Sequence, residues 1–291
     1  MGAKIFKSEA GRERLEGWYQ RFLAKLPGPV EHRDVPTAHG PSHVLLAGDE
    51  SKPTLVVLHG SLASSAHVLS EMVPLLKHFR VVAPDLPGQS VRGPQVRLSL
   101  KDDSLARWLM EVLGKLGVEE FDLFGVSWGG FVARQTALLV PNRVRKLVLL
   151  VPAGIVSGPL LKGLFRMALP LAMYRWFPSE RRLRRLFEPL FTTWDDDWAH
   201  YMGDAFRDFA LDLRVPPLAT DDELRKLTMP TLVIGAADDI SFPGGKIVER
   251  VKNLLPRGET ELVEGSKHGP PTTPEFRAWL ADRVMRFLEP A

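Results

Sequence analysis

The sequence predicts an α/β protein in which a mostly parallel sheet lies between two layers of helices. Strand-like runs alternate with helix-like runs over most of the chain, which is typical of parallel strands joined by right-handed crossovers. Residues 54–58 form a continuous apolar run, as expected for a strand buried on both faces. The length of 291 residues fits one such domain with an insertion.

The elements follow from periodicity and turn residues. Apolar residues at helical spacing predict an amphipathic helix within residues 1–26, ended by Pro27-Gly28-Pro29. Strands are expected at residues 44–46, 54–58, 79–83, 121–124, 146–151, 231–235 and 261–263. Helices are expected at about residues 66–77, 100–116, 128–140, 246–255 and 275–288. Ser99 is predicted to cap the second of these, because Asp102 follows three residues later.

One long segment interrupts the alternation. Between Pro152 and about Leu227 the sequence shows only helix-like stretches, rich in Leu, Phe, Trp, Met and Arg. We therefore expect a core domain of residues 1–152 and 228–291 and a helical cap of residues 153–227. Of the eleven aromatic residues between Phe165 and Phe209, most are expected to pack and a minority to line an apolar pocket.

Composition narrows the function classes. The chain has no cysteine, which excludes disulfides and thiolate chemistry, and its net charge of +3 is too small to argue for nucleic acid. No signal peptide and no membrane-length apolar window are found, so we expect a soluble cytoplasmic protein without stable membrane insertion. No phosphate-binding loop, dinucleotide fingerprint or metal-ligand spacing occurs, so no cofactor or metal is expected.

The most informative motif is Gly-Val-Ser-Trp-Gly-Gly at residues 125–130, directly behind the strand-like run 121–124. A serine with glycine two residues before and two residues after it, between a strand and a helix, is the pattern of a nucleophile elbow. At such a turn the serine has a strained backbone, and side chains at the glycines would collide with neighbouring elements. Ser127 is therefore the predicted nucleophile.

With this motif the chain resembles the α/β-hydrolase fold superfamily, in particular serine esterases with a helical cap. The resemblance implies a base on the loop after the last strand, which is His268 in Glu-Gly-Ser-Lys-His-Gly. It also implies an orienting acid after the strand at 231–235. Counting from Gly235 selects Asp238, which we favour, whereas counting back from Pro243 selects Asp239.

The same resemblance implies an oxyanion hole made of two backbone N–H groups. One is that of Trp128, after the nucleophile, and the other is that of Ser61 in His-Gly-Ser-Leu, with Leu62 as the alternative. His59 in this stretch is expected to be structural. The stretch Asp-Leu-Pro-Gly-Gln-Ser at residues 85–90 resembles the family's Asp-x-x-Gly-x-Gly-x-Ser, but Gln89-Ser90-Val91 lacks the second glycine, which leaves the shape of one pocket wall open.

These residues together predict a hydrolase that cleaves carboxylic esters of small apolar acyl or aromatic substrates through an acyl-enzyme. The alternatives are a prolyl iminopeptidase-like enzyme, in which Glu180, Glu188 or the run Asp195-Asp196-Asp197 would read an amino terminus, and a carbon–carbon bond hydrolase. A non-catalytic ligand receptor is a further alternative, because a fold alone does not give a function. The oligomeric state is left open.

A basic cluster, Arg-Arg-Leu-Arg-Arg-Leu at residues 181–186, lies inside the predicted cap. We interpret it as a solvated helix face with the leucines turned inward. The alternatives are a contact with an anionic substrate tail, an acyl-carrier protein or a phospholipid surface.

Overall fold

The structure, a computed structural model, describes residues 4–158 and 160–289, with only the backbone of residues 160–166. Its centre is one sheet of eight strands in the order β1-β2-β4-β3-β5-β6-β7-β8. The strands are β1 (Glu31–Thr37), β2 (Gly40–Ala47), β3 (Thr54–Leu58), β4 (Arg80–Pro84), β5 (Phe121–Val126), β6 (Val144–Leu150), β7 (Thr231–Ala236) and β8 (Gly258–Val263). β2 runs antiparallel to both of its neighbours, and β3 to β8 are mutually parallel. The predicted mostly parallel sheet is confirmed.

Helices cover both faces of the sheet. They are α1 (Glu9–Leu23), α2 (Ser65–Glu71), α3 (Ser104–Lys115), α4 (Trp128–Leu139), α5 (Leu160–Trp176), α6 (Glu180–Phe187), α7 (Asp196–Asp208), α8 (Asp221–Arg225), α9 (Gly244–Leu254) and α10 (Pro274–Leu288). Helices α5 to α8 all lie between β6 and β7 in the chain, and among the described residues of this segment there is no strand. No helix of the described residues is long and apolar enough to cross a bilayer.

Two buried clusters hold the layers together, one on each face of the sheet. Along β3, Leu55 and Val57 belong to the cluster that includes α1, α2 and α10, whereas Val56 and Leu58 belong to the cluster that includes α3, α4 and α9. Because successive side chains of a strand point to opposite faces, a central strand must be apolar throughout. This is why the continuous apolar runs identified the central strands.

Three local predictions were wrong. β1 was missed because it is an edge strand whose burial pattern leaves only Val35 buried, so it carries no apolar run. The helix expected at residues 66–77 ends at Glu71 and continues as a 3₁₀ helix at Val73–Lys77, because Pro74 cannot continue the α-helical hydrogen bonding. Asp103, not Ser99, stands at the start of α3, which begins four residues later than expected.

Candidate active site

Ser127 lies at a sharp turn between the end of β5 and the start of α4. Its backbone angles, φ 50° and ψ −109°, are a strained conformation for a residue with a side chain. Two hydrogen bonds hold it there: its N–H donates to the Leu150 carbonyl at 2.9 Å, and its carbonyl accepts from the Ala153 N–H at 3.0 Å. The neighbouring strand β6 and the loop after it therefore fix the position of the serine.

The glycines around Ser127 leave room for this turn. A Cβ atom at Gly125 would lie 2.5 Å from the Gly129 carbonyl oxygen, and one at Gly129 would lie 2.3 Å from that of Leu58. Both distances are under 3.0 Å, closer than Cβ atoms come to other atoms in real proteins. Neither position therefore accepts a side chain without a backbone shift. The predicted need for glycine on both sides of the serine is confirmed.

His268 lies on the loop between β8 and α10 and reaches the serine. Its Nε2 is 3.0 Å from Ser127 Oγ. The loop is tied to the residues after α6, because the Gly269 N–H donates to the Leu190 carbonyl at 2.7 Å and the Thr192 N–H donates to the Gly269 carbonyl at 3.0 Å. The imidazole is therefore held by contacts with both the core and the segment between β6 and β7.

The carboxylate that meets His268 is Asp239. Its Oδ2 lies 2.7 Å from His268 Nδ1, and its Oδ1 accepts hydrogen bonds from the backbone N–H groups of Ser241 at 2.7 Å and Phe242 at 3.0 Å. Because an ionised carboxylate only accepts, Nδ1 must carry the hydrogen in this contact. Nε2 of the neutral ring is then free to accept the proton of the Ser127 hydroxyl.

The choice of Asp238 as the acid that contacts His268 was wrong. Asp238 is exposed, and its backbone N–H donates to the Ser266 carbonyl at 2.8 Å. β7 continues past Gly235 to Ala236, so one more residue precedes the position whose side chain turns inward. The count back from Pro243, which selected Asp239, allowed for this longer loop.

Burial and the carboxylate act in opposite directions on His268. Burial lowers the pKa of the imidazole because it disfavours the charged ring, but the charge of Asp239 and the hydrogen bond to it outweigh burial and raise the pKa above its usual value. The imidazolium is thus stabilised in place. An imidazole in this setting can take a proton and hold it next to the serine oxygen.

Two loops bring backbone N–H groups to the serine. Gly60 lies beside Ser127, since a Cβ added to it would be 3.7 Å from the Ser127 Cβ. The Leu62 N–H donates to Gln89 Oε1 at 3.2 Å, and Ser61 Oγ donates to the same oxygen at 2.9 Å. Within the described residues the backbone N–H groups of Ser61 and Trp128 donate to no protein acceptor. Trp128 begins α4, where N–H groups lack partners within the helix.

Gln89 is the residue whose contribution the sequence did not reveal. It was noted only as a departure from the family pattern, but its side chain accepts both hydrogen bonds described above and is almost fully buried. It therefore fixes the loop that carries Ser61. A signal was present, because Gln89 directly precedes Ser90, which replaces the second glycine of the family pattern, and a long polar side chain needs a hydrogen-bond partner when it is buried.

His59 holds the same loop from below, as expected. It is fully buried, its Nε2 accepts from the Leu86 N–H at 2.9 Å, and its Nδ1 contacts the Gly60 carbonyl at 2.8 Å. Burial lowers its pKa. With both ring nitrogens engaged by backbone groups and no contact with Ser127, His59 is positioned to stabilise the loop.

A cavity of about 340 Å³ opens over Ser127 and His268. Its walls are mostly apolar and include the aromatic side chains Phe187, Phe191, Trp198 and Phe206. A minority of the aromatic residues was expected to line such a pocket, and these four do so, whereas the Phe165 side chain lies outside the described residues. Glu71 and Arg277 are the charged side chains at the wall besides histidine, and they form a bidentate pair at 2.7 and 2.8 Å.

The described part of the chain contains no group of three or more His, Asp or Glu side chains that could hold a metal ion. The arrangement joins a strained serine, a histidine of raised pKa and a buried carboxylate in one chain of hydrogen bonds beside unpaired backbone donors. Such a group can activate a hydroxyl for attack on a carbonyl.

The comparisons with known proteins concern the family of the chain. A sequence profile described as the alpha/beta hydrolase fold matches residues 53–271. A protein named as an uncharacterized carboxylesterase of Bacillus subtilis is 26% identical over 283 residues, which are 93% of this chain and 90% of that protein. A 2-hydroxymuconate semialdehyde hydrolase of a Pseudomonas species is 34% identical over 46% of each chain.

Solved structures show the same fold. The crystal structure of naproxen esterase from Bacillus subtilis superposes with a TM-score of 0.82 and 22% identity, covering 97% of this chain and all of that chain. The predicted fold and the resemblance on which it depended are both confirmed. Since the profile spans three quarters of the sequence, the chain belongs to the alpha/beta hydrolase fold family.

Proposed function

We propose that this chain is a serine hydrolase that cleaves carboxylic esters through an acyl-enzyme intermediate. The observation that carries the proposal is the continuous contact from Ser127 through His268 to Asp239 beneath an apolar cavity. In this proposal residues 153–227 act as a cap, because α5, α6 and α7 contribute side chains to the cavity wall opposite the sheet.

In the first half of the proposed reaction, His268 Nε2 takes the hydroxyl proton while Ser127 Oγ attacks the ester carbonyl carbon. The backbone N–H groups of Ser61 and Trp128 receive the negative charge that develops on the carbonyl oxygen. One such donor typically contributes about 3–4 kcal/mol to the transition state. Ser61 is preferred over Leu62 because Gln89 already engages the Leu62 N–H.

The proton on His268 then passes to the alkoxide oxygen of the leaving group as the carbon–oxygen bond breaks. A water molecule, deprotonated by the same Nε2, then attacks the acyl-enzyme. When the resulting tetrahedral intermediate breaks down, the acid is released and the proton returns from Nε2 to Ser127 Oγ. Asp239 keeps Nδ1 protonated and stabilises the imidazolium in both halves. No metal or cofactor enters this sequence of steps.

The cavity favours apolar substrates of small or medium size, and the names of the relatives favour esters. The cavity wall is mostly apolar, and its volume lies near the lower end of the range of about 300–1,000 Å³ that is usual for ligand pockets. Relatives that match over nearly the whole chain are named carboxylesterases. The sequence matches to proteins named 2-hydroxymuconate semialdehyde hydrolase and 2-hydroxy-6-oxononadienedioate/2-hydroxy-6-oxononatrienedioate hydrolase, by contrast, cover less than half of the chain.

The peptidase alternative has less support. An enzyme that reads an amino terminus needs an unpaired carboxylate in its pocket, and the candidates from the sequence do not line the cavity. Glu180 pairs with Arg184, and Asp195 caps α7 by accepting from the Trp198 N–H. Glu71 does reach the cavity, but its carboxylate is held by Arg277.

Hydrolysis of p-nitrophenyl esters from acetate to palmitate tests the proposal. We expect turnover with an optimum at short or medium acyl chains, and none above background for Ser127→Ala, whose folding is checked by thermal unfolding. Undiminished turnover by Ser127→Ala would refute the mechanism. Absence of turnover by the folded wild-type chain on every ester would favour the carbon–carbon hydrolase, peptidase or receptor alternatives.

A further inference from the structure

From residue 167 to its end, helix α5 has apolar side chains on the side that faces solvent as well as on the side that faces the protein. Its inward side chains Met167, Leu171 and Tyr174 pack against the core. The outward positions from residue 168 to the residue after the helix also carry no charge: they are Ala168, Leu169, Ala172, Met173, Trp176 and Phe177. An apolar helix face of this size is normally covered, and Arg175 is the one charged residue between Met167 and Phe177, where it is half-buried.

The large side chains of this outward surface form one continuous face. Leu169, Met173 and Trp176 are spaced four and three residues apart, which places them on one side of a helix, and Phe177 follows directly. Trp176 is 79% exposed and Phe177 is 58% exposed. We call these four residues the apolar face of α5. Exposed aromatic residues that adjoin one another mark an interaction surface more often than scattered ones do.

The segment that carries this face is rich in basic residues. Between residues 160 and 188 the sequence has seven Arg and Lys residues against two Glu, so this short segment carries a larger positive charge than the whole chain, whose net charge is +3. Arg182 lies over the Phe177 ring at 5.5 Å and donates to the Phe177 carbonyl at 2.8 Å, which joins the start of α6 to the apolar face.

Two of these arginines are free to bind an anion. Arg181 and Arg185 are exposed on α6, and among the described residues neither forms an ion pair. Arg184 between them pairs with Glu180 at 2.9 Å. Leu183 and Leu186 turn inward and are buried, so the basic side of α6 points away from the core.

We propose that the apolar face of α5, with Arg181 and Arg185, docks on the surface of an anionic phospholipid bilayer. Helices that lie at a bilayer surface combine Trp, Phe and Leu, which enter the boundary of the acyl region, with Arg and Lys at the level of the phosphates. Both halves of that pattern occur together here. The position of the arginines selects an anionic over a neutral lipid surface.

A second copy of the chain fits this surface less well. In a symmetric dimer the same patch would meet itself, which would bring the arginines of one copy close to those of the other. Like charges held together in this way oppose association. A surface of phosphate groups has no such conflict.

The docking surface and the cavity share the same elements. Met167 of α5 and Phe187 of α6 line the cavity on their inner sides, while the outer sides of the two helices carry the apolar face and the free arginines. A bilayer bound there would lie against the elements that cover Ser127. The proposal concerns binding and does not depend on ester hydrolysis.

Co-sedimentation with vesicles tests the proposal on the full chain. At low salt we expect at least tenfold stronger partitioning onto phosphatidylglycerol vesicles than onto phosphatidylcholine vesicles, lost when about 1 M salt screens the charges. Trp176→Ala/Phe177→Ala should weaken binding to phosphatidylglycerol at least tenfold. Arg181→Gln/Arg185→Gln should weaken binding to phosphatidylglycerol about tenfold or more, so that the preference for the anionic lipid is lost.

Trp279→Ala is the matched control, because Trp279 is a 37% exposed tryptophan on α10, outside the proposed surface. It should bind as the wild type does, and so should Ser127→Ala, which separates docking from catalysis. Thermal unfolding checks that each variant is folded. Equal binding by the wild type and both double variants would overturn the proposal. So would a concentration-dependent dimer in sedimentation velocity that the Trp176→Ala/Phe177→Ala variant abolishes while vesicle binding stays unchanged.

Discussion

Within the described residues two buried aspartates, Asp239 and Asp85, each contact the Nδ1 atom of a histidine, and only one of these two histidines reaches Ser127. Asp239 meets His268 at 2.7 Å, and Asp85 meets His43 at 2.8 Å. The two contacts are alike in length, in the Nδ1 atom that takes part, and in the full burial of the carboxylate. They differ in what the other ring nitrogen faces.

At His268, Nε2 faces the Ser127 hydroxyl and an open cavity. At His43, Nε2 lies 3.0 Å from His32 and 3.3 Å from Arg92, inside the packed contact between α1 and the sheet. A proton taken by His43 would have no substrate to reach. The aspartate–histidine pair is therefore not by itself a catalytic device, and its setting decides what it does.

The Asp85 carboxylate is held more completely than that of Asp239. It accepts from the Ser65 N–H and hydroxyl at 2.9 and 2.8 Å and from the Ser90 hydroxyl at 2.6 Å, in addition to His43. Burial acts to raise its pKa, but the hydrogen bond from His43 and the nearby histidines outweigh burial and lower it. This network joins β2, α2 and the loop after β4, so we assign it to stability.

The largest effect separates Asp239 from Asp238. Asp239→Asn should lower kcat/KM about 10⁴-fold, because the amide no longer fixes the imidazole tautomer or stabilises its charge. Asp238→Asn is the matched control on the adjacent, exposed side chain and should stay within about twofold of the wild type. Steady-state kinetics on one p-nitrophenyl ester measures both. Equal losses in the two variants would contradict the assignment.

Substitution in the Asp85–His43 pair should change the stability of the fold and not the catalytic rate. Asp85→Asn should lower the free energy of unfolding by about 3–5 kcal/mol, since the donors of His43 and the serines would lose a buried charged partner. Asp34→Asn, on the exposed edge strand β1, is the control and should change it little. Denaturant unfolding gives the values. A large loss of kcat/KM in an Asp85→Asn variant of unchanged stability would mean that this pair takes part in the reaction.

The pH profile offers a third distinction. The proposed reaction needs neutral His268, so kcat/KM should rise with pH through the pKa of this residue, which lies above the usual value of about 6.5. Asp239→Asn removes the charge that raises this pKa and leaves burial, so the acid limb of its residual activity should move to lower pH. The Asp238→Asn limb should not move. A shift of the acid limb of the Asp239→Asn pH profile to higher pH would contradict this role of the Asp239 charge.

The smallest effect concerns the loop that carries Ser61. Gln89→Ala removes the acceptor for Ser61 Oγ and for the Leu62 N–H, and we expect kcat to fall about threefold to tenfold with little change in KM. Gln95→Ala is the control, because the one side-chain hydrogen bond of Gln95 among the described residues is its donation to the Gly93 carbonyl. A larger change in KM than in kcat would indicate that Gln89 contacts the substrate instead of positioning the loop.

Much of the fold and the turn at Ser127 were predictable because each left a local pattern, whereas His268 was expected from the resemblance to the family. Central strands are apolar at every position, and the nucleophile turn demands glycine at fixed distances from Ser127. β1 left no such pattern because an exposed edge strand is polar. The features that could be predicted are therefore those that burial or steric crowding imposes on neighbouring residues in the sequence.

The remaining features depend on how a loop turns in space. Asp238 and Asp239 are adjacent carboxylates, and only the course of the chain after β7 decides which one turns inward. The partners of Gln89 lie about 27 residues away in the chain, on a different loop. Contacts of this kind are set by the tertiary arrangement and leave no periodic signal.

The most direct test of the account is covalent labelling of the serine. A fluorophosphonate should react with the wild-type chain at one residue, Ser127, as seen by intact mass and peptide mapping, and a substrate ester should compete with it. Ser127→Ala should remain unlabelled, and Asp239→Asn should react far more slowly than Asp238→Asn. Labelling at a residue other than Ser127, or equal rates in the two aspartate variants, would contradict the proposed nucleophile and its relay.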